Sequence, residues 1–134
     1  MSWKIESRSD QLLHKAARSG NEAELAKILD SGRVHVDCMN EDGITPLMLA
    51  ASSNHLACVK LLIEDGADVM AQRRTGTYAL FFASEAGHLD VIKELVAHGS
   101  DVNMPSYVSL SSAIAKLYYP DTIINQPLRY GFKQ

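Results

Sequence analysis

Apolar residues return along this chain in short bursts, each followed by a second apolar run and then by glycine and charged residues. The bursts contain Leu12, Leu13, Ala16 and Ala17; then Leu47, Leu49, Ala50 and Ala51; then Leu80, Phe81, Phe82 and Ala83. The second runs contain Leu25, Ile28 and Leu29; then Val59, Leu61, Leu62 and Ile63; then Val91, Ile92, Leu95 and Val96. Steps of three and four residues place such sets on one face of a helix, so the pattern predicts pairs of short amphipathic helices. A pair this small cannot bury its apolar face alone and needs the next pair stacked on it.

The bursts are copies of one another. Thr45-Pro46-Leu47-Met48-Leu49-Ala50-Ala51 recurs in weakened form as Gln11 to Ala17 and as Tyr78 to Ser84. Matching Ala16, Ala50 and Ala83 lie 34 and then 33 residues apart, a period that marks a solenoid of repeats. Gly20-Asn21, Asn54-His55 and Gly87-His88 follow in step, and Gly32, Gly66 and Gly99 close the units. Gly43 suits a tight turn; Thr45 is placed to cap the helix after it, with Pro46 at the first helical position. Leu56, Val59, Leu62 and Ile63 form the stripe of a second helix, antiparallel to the first, and Gly66 stands just past its end. The one-residue surplus in the first unit falls near Val34-His35, in a turn that tolerates it.

Asp42-Gly43-Ile44-Thr45-Pro46-Leu47-Met48-Leu49-Ala50-Ala51 with Gly66-Ala67-Asp68-Val69, and Gly87-His88-Leu89-Asp90-Val91-Ile92 with Gly99-Ser100-Asp101-Val102-Asn103, resemble the ankyrin repeat family. The resemblance implies an all-α repeat solenoid, an ankyrin-type stack of helix-turn-helix units joined by β-hairpin-like turns. Repeats are expected within residues 1–105, at about 8–40, 41–73 and 74–105. Beyond Pro105 the pattern dissolves. Residues 106–134 read either as a degenerate capping half-repeat with a partly disordered tail, or as an unrelated tail that ends early the front part of a longer array.

Three departures carry expectations. Lys15 stands where the second unit has Leu49, and Gln11-Leu12 replace Thr45-Pro46; a polar outer face suits a terminal repeat, with Trp3 and Ile5 placed to cover its apolar edge. Tyr78-Ala79-Leu80-Phe81 lack the hydroxyl cap and the proline, so Thr75 or Thr77 is expected to cap that helix. Phe81-Phe82 read either as repacking between repeats or as an aromatic anchor for a partner.

Composition narrows the function classes. A formal charge of −3 in 134 residues predicts no strong attraction to nucleic acid or to an anionic membrane. No apolar run approaches the roughly 20 residues that span a bilayer, and Met1 to Glu6 lack an apolar signal core. Cys38 and Cys58 fall at non-equivalent repeat positions and read as free thiols of a reducing compartment, which predicts a cytoplasmic or nuclear protein. His14, His35, His55, His88 and His98 occupy repeat or turn positions; the resemblance implies that His55 and His88 hold the turn between paired helices. No phosphate loop, Cys-x-x-Cys or His-Glu-x-x-His occurs, so neither catalysis, nor a cofactor, nor a metal is expected.

The resemblance implies a monomeric, non-catalytic module that binds a partner protein through a concave strip of hairpin tips and first-helix ends. It acts as an adaptor or scaffold or, alternatively, as a direct inhibitor of an enzyme such as a protein kinase. The tips supply Glu41, Asp42 and Ile44, then Arg74, Thr75 and Thr77, then Tyr107. The first-helix ends supply Arg18 and Ser19, Ser52 and Ser53, and Glu85. Acidic and basic tips alternate, so charge order would set register and specificity. Asn103 matches a turn asparagine that is hydroxylated in some family members, with Leu95 upstream fitting that preference; the other reading is an asparagine that only bonds the turn backbone.

Overall fold

The computed structural model describes residues 7–73 and 75–101. Six helices are found there, α1 (Arg8–Ser19), α2 (Glu22–Asp30), α3 (Pro46–Ser52), α4 (Leu56–Glu64), α5 (Ala79–Ala86) and α6 (Leu89–Ala97). They form two layers: α1, α3 and α5 pack side by side, α2, α4 and α6 do likewise, and each pair closes across the layers. This is the all-α repeat solenoid. No β-strand occurs among the described residues; the joining turns are hairpin-like in their hydrogen bonds alone.

Small residues on the inner helices set the spacing. Ala16, Ala17, Ala50, Ala51 and Ala83 are buried, and Leu13, Leu25, Leu47, Leu62, Leu80 and Leu95 fill the space between layers. Alanine allows close helix approach while leucine supplies the apolar area. Lys15 and Leu12 are both exposed, so the outer side of α1 carries a charge beside an apolar side chain and is not wholly polar.

Capping follows the sequence at α3 and departs from it elsewhere. Thr45 Oγ1 accepts the Met48 amide hydrogen bond at 3.3 Å, with Pro46 in the first turn. At α1 a capping box between Ser7 and Asp10 starts the helix, so it runs to 12 residues against 7 in α3. Neither Thr75 nor Thr77 caps α5. Its N-cap is Tyr78, which makes no side-chain capping bond, and the two threonine hydroxyls meet each other at 3.0 Å. Tyr78 serves differently: its ring is buried and its hydroxyl donates to the Asp101 carbonyl at 2.9 Å.

The histidines also depart from the expectation. His55 Nε2 donates to the Arg18 carbonyl and His88 Nε2 to the Ser52 carbonyl, both at 3.0 Å. Each bond crosses from one unit to the end of the preceding first helix rather than holding a turn within its own pair. A terminal carbonyl without a helical partner is the natural acceptor there. Phe81 and Phe82 are half-buried and pack edge to face, 5.5 Å between centroids. The readings placed on Trp3, Ile5, Asn103 and residues 106–134 lie outside the described residues.

Candidate functional site

One strip combines the hairpin tips with the exposed ends of the first helices. The first tip, residues 40–44, is heavily cross-bonded. Asn40 N donates to Ile44 O at 3.1 Å and Gly43 N to Asn40 O at 2.9 Å. The Asn40 side-chain oxygen accepts the Asp42 and Ile44 amides at 2.9 and 3.0 Å. Two neighbours pin the tip from outside. His14 Nε2 lies 2.9 Å from the Ile44 carbonyl while its Nδ1 lies 2.7 Å from Asp10 O; a neutral ring donates to one of them, according to tautomer. On the other side Arg73 Nε donates to the Asp42 carbonyl at 3.2 Å.

The second tip repeats the backbone pattern with Arg73 N donating to Thr77 O and Gly76 N to Arg73 O, both at 2.9 Å. The residue equivalent to Asn40 is Arg73, so the second tip has no asparagine staple and instead sends a guanidinium back to the first.

Between α1 and the first tip lies an open groove of about 400 Å³ lined by Gln11, His14, Arg18, Asn40, Glu41 and Asp42. Gln11, His14 and Arg18 share one face of α1 through steps of three and four residues. The Arg18, Glu41 and Asp42 side chains are exposed, and no ion pair joins them. At the end of α6 His98 Nδ1 lies 3.5 Å from a Glu94 carboxylate oxygen.

The residues named from sequence divide by accessibility. Arg18, Ser19, Glu41, Asp42, Ser52, Thr75 and Glu85 are exposed; Ile44 and Ser53 are half-buried. Thr77 is 7% exposed, too covered to reach a partner, and its hydroxyl meets that of Thr75 at 3.0 Å. Arg18, Glu41 and Asp42 come together around the groove; Glu85 lies at the far end of the stack on α5. Arg74 and Tyr107 fall outside the described residues. Sequence reasoning passed over Asn40, Gln11 and Arg73. The signal for Asn40 was present, since Asn40-Glu41-Asp42-Gly43 is the composition of a side-chain-bonded turn.

Among residues that do not line the groove another ladder joins the units. The Asp37 carboxylate accepts the Asp68 amide at 3.1 and 3.2 Å, and Met70 Sδ accepts the Asp101 amide at 3.5 Å. Partial burial pushes the Asp37 carboxyl above its usual range, the Asp68 amide bond acts against that, and the Asp68 charge adds to it. Among the described residues no three His, Cys, Asp or Glu side chains gather as metal ligands, and no helix is long and apolar enough to cross a membrane.

Comparison with known proteins places this geometry. A family profile described as "Ankyrin repeats (3 copies)" matches residues 13–106. Two curated relatives, both named "Ankyrin repeat domain-containing protein 29", come from Danio rerio and Homo sapiens. Each is 48% identical over 59 residues, which is 44% of this chain and 20% of the relative. The match thus spans about a fifth of the length of those relatives.

Proposed function

The chain belongs to the ankyrin repeat family, whose repeats are generally protein–protein interaction modules, and we propose that it binds a partner protein through the strip of tips and first-helix ends. It is read as a non-catalytic adaptor. The observation that carries this is the first tip: its backbone is tied by bonds from Asn40 and Arg73 and its Ile44 carbonyl lies 2.9 Å from His14 Nε2, while among the described residues the Glu41, Asp42 and Arg18 side chains around the groove have no ion-pair partner. A rigid backbone presenting unpaired charges loses little entropy on binding. Arg73 and Arg74 follow the acidic tip along the chain, so the strip alternates in sign and favours a partner of matching order. The buried thiols of Cys38 and Cys58 support residence in a reducing compartment, cytoplasm or nucleus.

A pull-down from cell extract tests this, comparing the intact chain with Arg18→Glu/Asp42→Lys and with Lys93→Glu, an exposed position on α6. A partner quantified by mass spectrometry should be lost by the strip variant and kept by Lys93→Glu, with all three equally helical by circular dichroism. A partner kept by the strip variant and lost by the α6 variant moves the binding surface to the outer layer and sinks this reading.

A further inference from the structure

The groove between α1 and the first tip has a chemistry of its own. Its floor is the His14 ring, whose two nitrogens both face backbone carbonyls, so the floor offers no free polar atom. The Asn40 carbonyl oxygen is likewise occupied by two amides. What remains for a ligand is the Gln11 amide and the Arg18 guanidinium on the helix wall, with the Asn40 side-chain NH2 and the Glu41 and Asp42 carboxylates on the tip wall. Arg73 is spent differently: its Nε holds the Asp42 backbone, which fixes the tip without an ion pair to the Asp42 carboxylate. Two carboxylates on consecutive residues of an immobilised turn are therefore presented across the groove from one guanidinium. Elsewhere acidic neighbours Glu64 and Asp65 stand at the end of α4 and line a smaller groove of about 210 Å³, where Ala26, Leu29 and Asp30 of α2 place no basic side chain opposite them.

A volume of about 400 Å³ falls within the range of ligand clefts and suits one long side chain with its flanking backbone. We propose that the groove takes an extended segment of the partner protein carrying a basic side chain for Glu41 and Asp42, arginine before lysine, with a nearby acidic residue for Arg18. Arginine is favoured because its planar fork has five donors and suits carboxylates lying side by side. The inference rests on the strip reading above and names the chemistry of its partner.

Selection of random peptides on phage separates the two. The intact chain, Glu41→Gln/Asp42→Asn and Arg18→Gln serve as baits; each substitution keeps an exposed side chain of similar shape. Peptides selected by the intact chain should combine a basic and an acidic residue at fixed spacing. The carboxamide variant should lose the basic preference and Arg18→Gln the acidic one. Fluorescence anisotropy of the best peptide should show affinity falling by at least about tenfold on Glu41→Gln/Asp42→Asn. Peptides lost on Arg18→Gln yet free of any basic preference would overturn this inference and leave the strip reading standing. Peptides indifferent to all these substitutions, or no selected peptides, would overturn both.

Discussion

Gly20→Ala tests the bond between the first two units directly. Gly20 ends α1 with φ at +79°, and a Cβ built there would lie 2.6 Å from His55 Nδ1, 2.7 Å from Cε1 and 3.0 Å from Cγ. The left-handed backbone alone costs an alanine about 1–2 kcal/mol. Moving the ring also strains or breaks the bond from His55 Nε2 to Arg18 O, which contributes about 1 kcal/mol or less because it is solvent-exposed. The total is about 1–3 kcal/mol. Gly87 supplies the control, since it ends α5 with φ at +76° and nothing lies within 4 Å of its Cβ position. Gly87→Ala should cost only the backbone part, about 1–2 kcal/mol. Urea unfolding followed by circular dichroism measures both, and a His55→Ala background closes a double-mutant cycle. There, Gly20→Ala should fall to the cost of Gly87→Ala. Equal costs for the two glycines in the native background, or no change on removing the His55 ring, would refute the contact.

Among the described residues Ser100 Oγ is buried without a hydrogen-bond partner, so Ser100→Ala should raise stability by about 1 kcal/mol; a loss in urea unfolding would reveal a partner. The Asp37 carboxyl is raised in the folded chain, chiefly by burial, so the folded state binds its proton more tightly and this group stabilises the fold progressively as pH falls through its folded pKa toward its unfolded one. Asp37→Asn should remove that gain, making the stability difference between about pH 3 and about pH 7 (from below the unfolded carboxyl range to above the raised one) less favourable to acid than in the native chain; an unchanged difference would exclude Asp37 as its source. Burial pushes the Cys58 thiol up and the Glu22 charge adds to this, and Cys38 is buried as well. Both thiols should therefore resist Ellman's reagent in the folded chain and react promptly in denaturant; fast native labelling of Cys58 would contradict its burial.

The fold was legible because the features that build it repeat. Thr45-Pro46, the alanine pairs and the spacing of Val59 and Leu62 each encode a local event that the period then multiplies. What escaped is one local variant of a capping template and, beyond it, pairs of distant residues. Ser7 and Asp10 form a capping box that a Ser-x-x-Glu template overlooks by one methylene. Tyr78 reads as a lost cap, yet its hydroxyl reaches the Asp101 carbonyl, 23 residues on in sequence. His55 and His88 were recognisable as structural, but their acceptors are carbonyls 37 and 36 residues away, which spacing alone does not identify. At the candidate strip, residue type and position were readable for Arg18, Glu41 and Asp42. The groove between them was not, because it exists only once α1 stacks against the tip that follows it.

That stacking ties stability and recognition to the same few groups, and the consequence bears on how binding is to be dissected. The His14 ring holds the tip and floors the groove; the Arg18 carbonyl anchors His55 while its guanidinium faces the groove. Substituting His14, Asn40 or Gly20 would weaken binding through the fold, leaving no way to separate a lost contact from a loosened tip. The Glu41 and Asp42 carboxylates and the Arg18 guanidinium have no such double duty, because the bonds that fix their positions are made by backbone atoms. Exchanging those three exposed side chains should leave stability within about 0.5 kcal/mol of the native chain. A fall in partner affinity at unchanged stability would then belong to recognition itself.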